Sequence, residues 1–224
     1  MYHPEAIRIK SSLLKNISNL KGGTLFSIGD ISIEVEGKDG LGGLIEEWFG
    51  VWAENQGFNI KNPKKEGGSQ EFPDYYVGDD NGLLEVKTFD SSASANFDLA
   101  NFESYCESIA NMPSRVDSDY LIFSYKLTGS ILTIENIWLK KIWEITCPSQ
   151  RWALKTQTKR DVIYNIRPAA WYSINPRFKV FASKEKFIEA LFETQESYEA
   201  LKNGDENRVN ENKALYSYNK NKGT

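Results

Sequence analysis

The 224 residues carry 27 Lys/Arg against 31 Asp/Glu, a net charge of −4, and 40% of them are hydrophobic, enough for one large domain that buries its core without disulfides. Two widely separated cysteines, Cys106 and Cys147, exclude a disulfide framework and a cysteine zinc site. The single histidine, His3, sits in what reads as a loose, exposed N-terminus and removes Ser-His-Asp, Cys-His and multi-histidine metal chemistry, so any catalysis must rest on carboxylates, Lys, Tyr or a metal ion.

Along the chain, "EAIRIKSSLLKNISNLKGG" predicts an amphipathic helix on Ile9, Leu13, Ile17 and Leu20, ended by Gly22-Gly23. An irregular stretch follows to about Gly37. From Leu41 to before Gly57, Leu41, Leu44, Ile45, Trp48, Phe49 and Trp52 recur on one face of a buried helix. Two glycines in its first turn indicate that something packs closely there. Residues 60–72 are polar and turn-rich and read as a loop. Strands are expected at Tyr75–Val77 and Leu83–Phe89, joined by the Asn81-Gly82 turn, the strongest hairpin signal in the chain. A helix is expected over 98–111. "DYLIFSYKL" and "LTIENIWLKKIWEI" read as paired strands, and "DVIYNIRP" as another. Ser183 caps a last helix that Gly204 terminates, and 205–224 is a polar, mobile tail. Nothing reaches membrane-spanning length and the N-terminus has no apolar h-region, so a soluble, cytoplasmic protein is expected. The fold class is α/β (α+β), with a single domain over 1–204.

Charge is unevenly spread. Residues 140–186 hold eleven Lys/Arg and three acids, a local +8 that leaves −12 for the rest of a chain whose net is −4. A basic stretch beside an acidic remainder suits a polyanion brought against a metal-binding carboxylate cluster; a solvated basic surface is the plain alternative. Arg151, Lys155, Lys159 and Arg160 have the spacing of phosphate contacts.

The acidic half contains "FPDYYVGDDNGLLEVKTFD". In a strand residues two apart share a face, so Glu85 and Lys87 point one way while Leu84 and Val86 point into the core. The hairpin turn can bring Asp74 close to Glu85. Two carboxylates at a strand edge make a hard, oxygen-rich site suited to Mg²⁺, and a lysine beside them can position a water or offset charge on a phosphate. An exposed Glu-Lys pair is the ordinary alternative.

Pro73-Asp74 and Glu85-Val86-Lys87 resemble the Pro-Asp…Asp/Glu-x-Lys signature of the restriction-endonuclease-like nucleases. "GKDGLGGLIEEWFG" further resembles a helix of the MutH mismatch-repair nuclease and the related Sau-type GATC restriction enzyme, with Glu46, rather than its neighbour Glu47, on the glutamate that joins their active site. "LLKNISNLKGGTLFSIGD", "VIYNIRPAAWYS" and "FKVFASKEKFIEALF" resemble that family's N-terminal segment, its Arg-Pro strand that reaches into DNA, and its aromatic strand and C-terminal helix.

The resemblance implies a restriction-endonuclease-like core: a mixed central sheet flanked by helices and a two-lobed DNA cleft. One lobe would hold residues 1–60 with the C-terminal helix and the other 61–180. It implies a type II restriction endonuclease cutting double-stranded DNA with Mg²⁺ on Asp74, Glu85 and Glu46, and Lys87 completing the catalytic set. Arg167, Pro168 and Phe181 would join the DNA contacts, Arg167 as a base reader or a phosphate clamp. A homodimer and a cognate DNA methyltransferase are the implied partners. A mismatch-repair nicking enzyme and a catalytically inactive DNA-binding module are the alternatives. Ala169 stands where the GATC readers place a lysine, and Phe181 where they place a methylation-sensing tyrosine, so GATC specificity is not expected.

Overall fold

The computed structural model describes residues 1–66, 72–202 and 207–222. In chain order its elements are α1 (Pro4–Lys15), β1 (Lys21–Gly23), β2 (Leu25–Ile28), β3 (Ile31–Glu34), α2 (Leu41–Asn55), β4 (Ile60–Lys61), β5 (Tyr75–Val77), β6 (Gly82–Asp90), β7 (Ala100–Asn101), α3 (Phe102–Asn111), β8 (Asp119–Thr128), β9 (Ile131–Lys140), β10 (Thr156–Lys159), β11 (Val162–Ile166), α4 (Lys184–Lys202) and α5 (Asn207–Lys222). The mixed α/β class matches expectation. The chain forms two compact units, residues 1–95 with 119–140 and residues 96–118 with 141–224. The Glu46 helix and the Asp74–Lys87 hairpin both fall in the first unit.

The first unit is built on a six-stranded sheet in the order β1-β9-β8-β6-β5-β4, antiparallel except for the β6–β8 pair. A parallel pair cannot be closed by a tight turn, and the connection from β6 to β8 runs through residues 96–118 of the second unit. Leu84 and Val86 on β6 and Leu121, Phe123 and Tyr125 on β8 form one buried face, covered by Ala6, Ile9 and Leu13 of α1 and Leu41, Ile45, Phe49 and Ala53 of α2. Glu85 and Lys87, alternating with these, project from the opposite face. Of the apolar stripe expected on α2, Leu44 and Trp48 are instead exposed.

In the second unit β10, β11 and β7 form a three-stranded antiparallel sheet. Phe102 and Trp152 pack edge-on against Tyr198 of α4, and Tyr105 against Phe187.

Several local expectations are corrected. His3 is neither loose nor exposed: its Nδ1 accepts from the Glu5 N–H at 3.1 Å, its own N–H donates to Asp119 at 2.8 Å, and Nε2 meets Asp80 at 2.7 Å. The imidazole fills the space over Gly78 and Gly82, where a Cβ would come within 2.5 Å of the ring. The first helix stops at Lys15, and Gly22-Gly23 belongs to the edge strand β1, registered on β9. The irregular stretch before Gly37 contains the β2–β3 hairpin. The 60–72 loop contains β4 and a 3-10 turn at Pro63–Glu66, while 67–71 lie outside the described residues. The strand running to residue 145 ends at Lys140, where a 3-10 turn begins with the Glu144 carboxylate accepting the Lys141 N–H at 2.7 Å. Strand β10 was not expected, and no strand spans residues 178–182.

The tail is helical from Asn207. Tyr216 is buried against Phe192, their centroids 6.0 Å apart, and Asn219 Nδ2 donates to the Ala110 carbonyl at 2.8 Å. One buried aromatic supplies no helical period to read, so packing rather than pattern makes this helix. Ser183 does cap α4, accepting from the Lys186 N–H at 3.3 Å; Gly204 lies outside the described residues.

Candidate active site

The β5–β6 register pairs Tyr75 with Leu84 and Val77 with Gly82; one step further it sets Asp74 opposite Glu85. Asn81 takes a positive φ of 54° in the turn, as the Asn-Gly signal requires. The Val86 N–H donates to Asp74 Oδ2 at 2.8 Å, which fixes this carboxylate on the neighbouring strand. Lys87 Nζ lies 2.8 Å from Glu85 Oε2 and 3.7 Å from Asp74 Oδ2. The structure thus brings Asp74, Glu85 and Lys87 together. Burial alone would push the Lys87 pKa down, but Glu85, Asp74 and Glu46 outweigh it and raise it, so Lys87 is an ammonium. Glu85 is buried and Lys87 mostly so, unlike the exposed surface pair that the sequence pattern also allowed.

Glu46 reaches this region from α2. Its carboxylate is held by Lys64 Nζ at 2.7 Å, an ion pair that raises the Lys64 pKa. It is half-buried and acts on the Lys87 charge, whereas Glu47 is exposed. Among the described residues no group of three His, Cys, Asp or Glu side chains is already gathered to hold a metal ion.

Two contributors had no readable signal. Tyr75 donates its hydroxyl to the Glu46 carbonyl at 2.8 Å, tying the residue after Asp74 to α2, and burial, with Glu46 and Asp74 nearby, raises its pKa. Gly50 makes this approach possible, since a Cβ there would stand 2.5 Å from the phenol oxygen. The expected close packing in the first turn falls on Gly42, whose Cβ would meet Thr88 Oγ1 at 3.1 Å, while Gly43 faces open space. Lys64 sits in a Pro-Lys-Lys turn without periodicity, which nothing in the sequence couples to Glu46.

The basic candidates lie in the second unit. Arg151 pairs with Asp161 at 2.6 Å and stacks over Trp152, and Lys159 and Arg160 stand exposed at the β10–β11 turn. Arg160 and Asp161 hold positive φ of 49° and 66°, which twists the hairpin and presents the arginine at its tip. Lys155 turns back to the Pro168 carbonyl at 2.7 Å. Arg167 is bonded to Asp98 and Asn96. Phe181 packs edge-on against Phe187 at 6.0 Å. Arg151, Lys159 and Arg160 therefore stand at one hairpin end, while Lys155, Arg167 and Phe181 are engaged within their unit.

The model of the NgoBV restriction endonuclease family matches residues 5–224. The chain belongs to the NgoBV restriction endonuclease family. It is 37% identical over 186 residues to the type II restriction enzyme NlaIV of Neisseria lactamica, covering 80% of this chain and 75% of that enzyme. It is 31% identical over 150 residues to the type II restriction enzyme NgoBV of Neisseria gonorrhoeae, covering 65% and 83%. The solved structure of the NlaIV restriction endonuclease superposes with a TM-score of 0.83 at 34% identity, over 96% of this chain and 89% of that one. Fold and family agree with the Pro-Asp…Glu-x-Lys reading; the likeness to MutH rests on the short stretches quoted above. No described helix is long and apolar enough to cross a membrane.

Proposed function

We propose that the chain is a type II restriction endonuclease that hydrolyses phosphodiester bonds at a specific site in double-stranded DNA with Mg²⁺. The observation that carries this is the meeting of Asp74, Glu85 and Lys87 at the open end of the β5–β6 hairpin. Their chemistry fits the ion: two carboxylates supply hard oxygens, and Mg²⁺ keeps several waters beside one or two carboxylates and a phosphate. When bound, the ion polarises the phosphoryl oxygen and lowers the pKa of a bound water.

Asp74, whose Oδ2 accepts the Val86 N–H, and Glu85 would hold the ion between their carboxylates. Lys87, charged and mostly buried, meets the scissile phosphate or orients the attacking water, and offsets negative charge as the P–O bond breaks. Glu46, ion-paired with Lys64, would add a third acid beside the ion. The exposed Arg151, Lys159 and Arg160 take phosphates. Arg167 and Pro168 approach the bases, with Lys155 holding the Pro168 carbonyl and Phe181 supporting the same unit. One catalytic centre per chain calls for two chains to cut both strands, and a methyltransferase of the same specificity would protect host DNA in the same cytoplasm.

Incubation with unmethylated plasmid and Mg²⁺ should give discrete double-strand fragments. Asp74→Ala, Glu85→Ala and Lys87→Ala should abolish cleavage and leave DNA binding largely intact. Full cleavage by Lys87→Ala overturns the mechanism. Nicks alone would favour the mismatch-repair reading, and tight binding without cleavage by the unaltered chain an inactive binding module.

A further inference from the structure

The turn at Pro63–Glu66 sends two consecutive lysines to α2. β4 pairs antiparallel with β5, Ile60 on Val77 and Lys61 on Tyr76, so the chain leaving β4 heads toward the Asp74 end of β5. Asn62 folds it there: its side-chain oxygen accepts the Lys64 N–H at 2.9 Å and its carbonyl accepts the Lys65 N–H at 3.1 Å. Lys64 Nζ then meets Glu46 at 2.7 Å, and Lys65 Nζ meets Glu54 at 3.1 Å, about two turns further along α2.

The two pairs differ in their surroundings. The Lys65 and Glu54 side chains are 60% and 48% exposed, a solvated pair that contributes little. Those of Lys64 and Glu46 are 35% and 21% exposed, and Asp74 and Lys87 both act on the Lys64 charge. Lys64 therefore belongs to the catalytic corner. Glu46 is fixed at two points: the Tyr75 hydroxyl donates to its backbone carbonyl, and Lys64 holds its carboxylate. Three carboxylates, Asp74, Glu85 and Glu46, share this corner with two ammonium groups, Lys87 and Lys64. Without Lys64 the like charges are less compensated. Asp74 is held by the Val86 N–H and Glu85 is buried, so Glu46 is the acid that would turn out to water.

We infer that Lys64 is a positioning residue of the cleavage reaction: its ammonium holds the Glu46 carboxylate beside Asp74 and Lys87, in place for the scissile phosphate. The inference rests on the catalytic reading above and adds the residue through which Glu46 is set. A direct phosphate contact by Lys64 is the competing role, and the two differ in what they move.

Single-turnover cleavage at saturating DNA and Mg²⁺ should fall about 10–100-fold in Lys64→Met, with DNA affinity measured without divalent ion little changed. Lys64→Arg keeps the charge and should recover most of the rate, and Lys65→Met should cleave like the unaltered chain. Because Lys64 acts through Glu46, Lys64→Met should cost almost nothing further on a Glu46→Ala background. Melting of the metal-free protein should show the same coupling: Lys64→Met alone lowers the midpoint by about 1–4 °C, and beside Glu46→Ala it adds almost nothing. This melt needs neither DNA nor Mg²⁺, so it separates failure of the ion pair from failure of the catalytic reading. An unaltered single-turnover rate in Lys64→Met overturns the proposal. So does a loss as large on the Glu46→Ala background as on the unaltered chain. A fall in DNA affinity with a salt slope flatter by about one also overturns it and makes Lys64 a phosphate contact. A Glu46→Ala chain that cleaves at the full rate overturns it through the catalytic reading of Glu46, and additive melting shifts overturn it through the pair itself.

Discussion

Gly50→Ala tests how α2 and the catalytic hairpin are joined. A Cβ at this position stands 2.5 Å from the Tyr75 phenol oxygen and 3.1 Å from Cε1 and Cζ. Tyr75 is 2% exposed and packs edge-on against Phe49 at 5.3 Å, so the ring has no room to retreat. Overpacking of this kind costs about 1–3 kcal/mol. Losing the bond to the Glu46 carbonyl leaves a buried hydroxyl unpaired, a further cost of about 1–3 kcal/mol. Against these stands about 1 kcal/mol of helix propensity gained by replacing glycine. The net is a loss of about 1–5 kcal/mol, which for a chain of this length lowers the melting midpoint by roughly 2–20 °C. Gly43→Ala is the control: it lies on the same helix with nothing within 4 Å of its Cβ, so it should melt at or above the unaltered chain. Because Tyr75 directly follows Asp74, Gly50→Ala should also lower cleavage well below its melting range, by about 10²-fold if the carboxylate shifts by 1 Å. Thermal melts by circular dichroism and initial cleavage rates read both effects. If Gly50→Ala melts with Gly43→Ala, the steric argument is refuted.

The bonds from Lys38 and then Ser92 hold the Asp90 pKa down to about 2. A depressed carboxylate contributes stability above its unfolded pKa of about 3.9 and loses it as pH falls through the folded value. The melting difference between the unaltered chain and Asp90→Asn should therefore be present at pH 6 and fade between about pH 4 and 2; a difference that does not vary with pH refutes the assignment. His3→Ala should cost about 1 kcal/mol for the lost α1 cap, and more for the space opened over Gly78 and Gly82, measured by urea unfolding. Arg167→Ala should narrow the cognate to non-cognate cleavage ratio by about 1–3 kcal/mol. A loss of equal size on every sequence would make Arg167 a phosphate contact or a clamp on Asp98.

The hairpin from Tyr75 to Asp90 was legible because three local signals agree: alternation, the Asn81-Gly82 turn, and the acid-acid-lysine edge that a two-residue period places on one face. The α2 helix was legible for the same reason, although its stripe was drawn too wide at Leu44 and Trp48. The β2–β3 hairpin was missed because its signal is short and its apolar residues look like interrupted core, and β10 because its Thr-Gln-Thr-Lys run has no apolar residue to alternate. α5 was missed because scattered contacts such as Tyr216, Asn219 and the Lys213–Glu196 pair attach it, and these make no pattern.

The sequence by itself determined that Asp74, Glu85 and Lys87 fall within reach of one another through a local turn. Only the tertiary structure decided that Glu46 is held by Lys64, that Tyr75 locks onto α2 through the gap at Gly50, and that Arg167 is engaged by Asp98. The physical reason is range. Strand alternation and a turn are set by neighbouring backbone angles, whereas each of these other contacts joins residues 18 to 69 positions apart or rests on a side chain's surroundings, which only packing supplies.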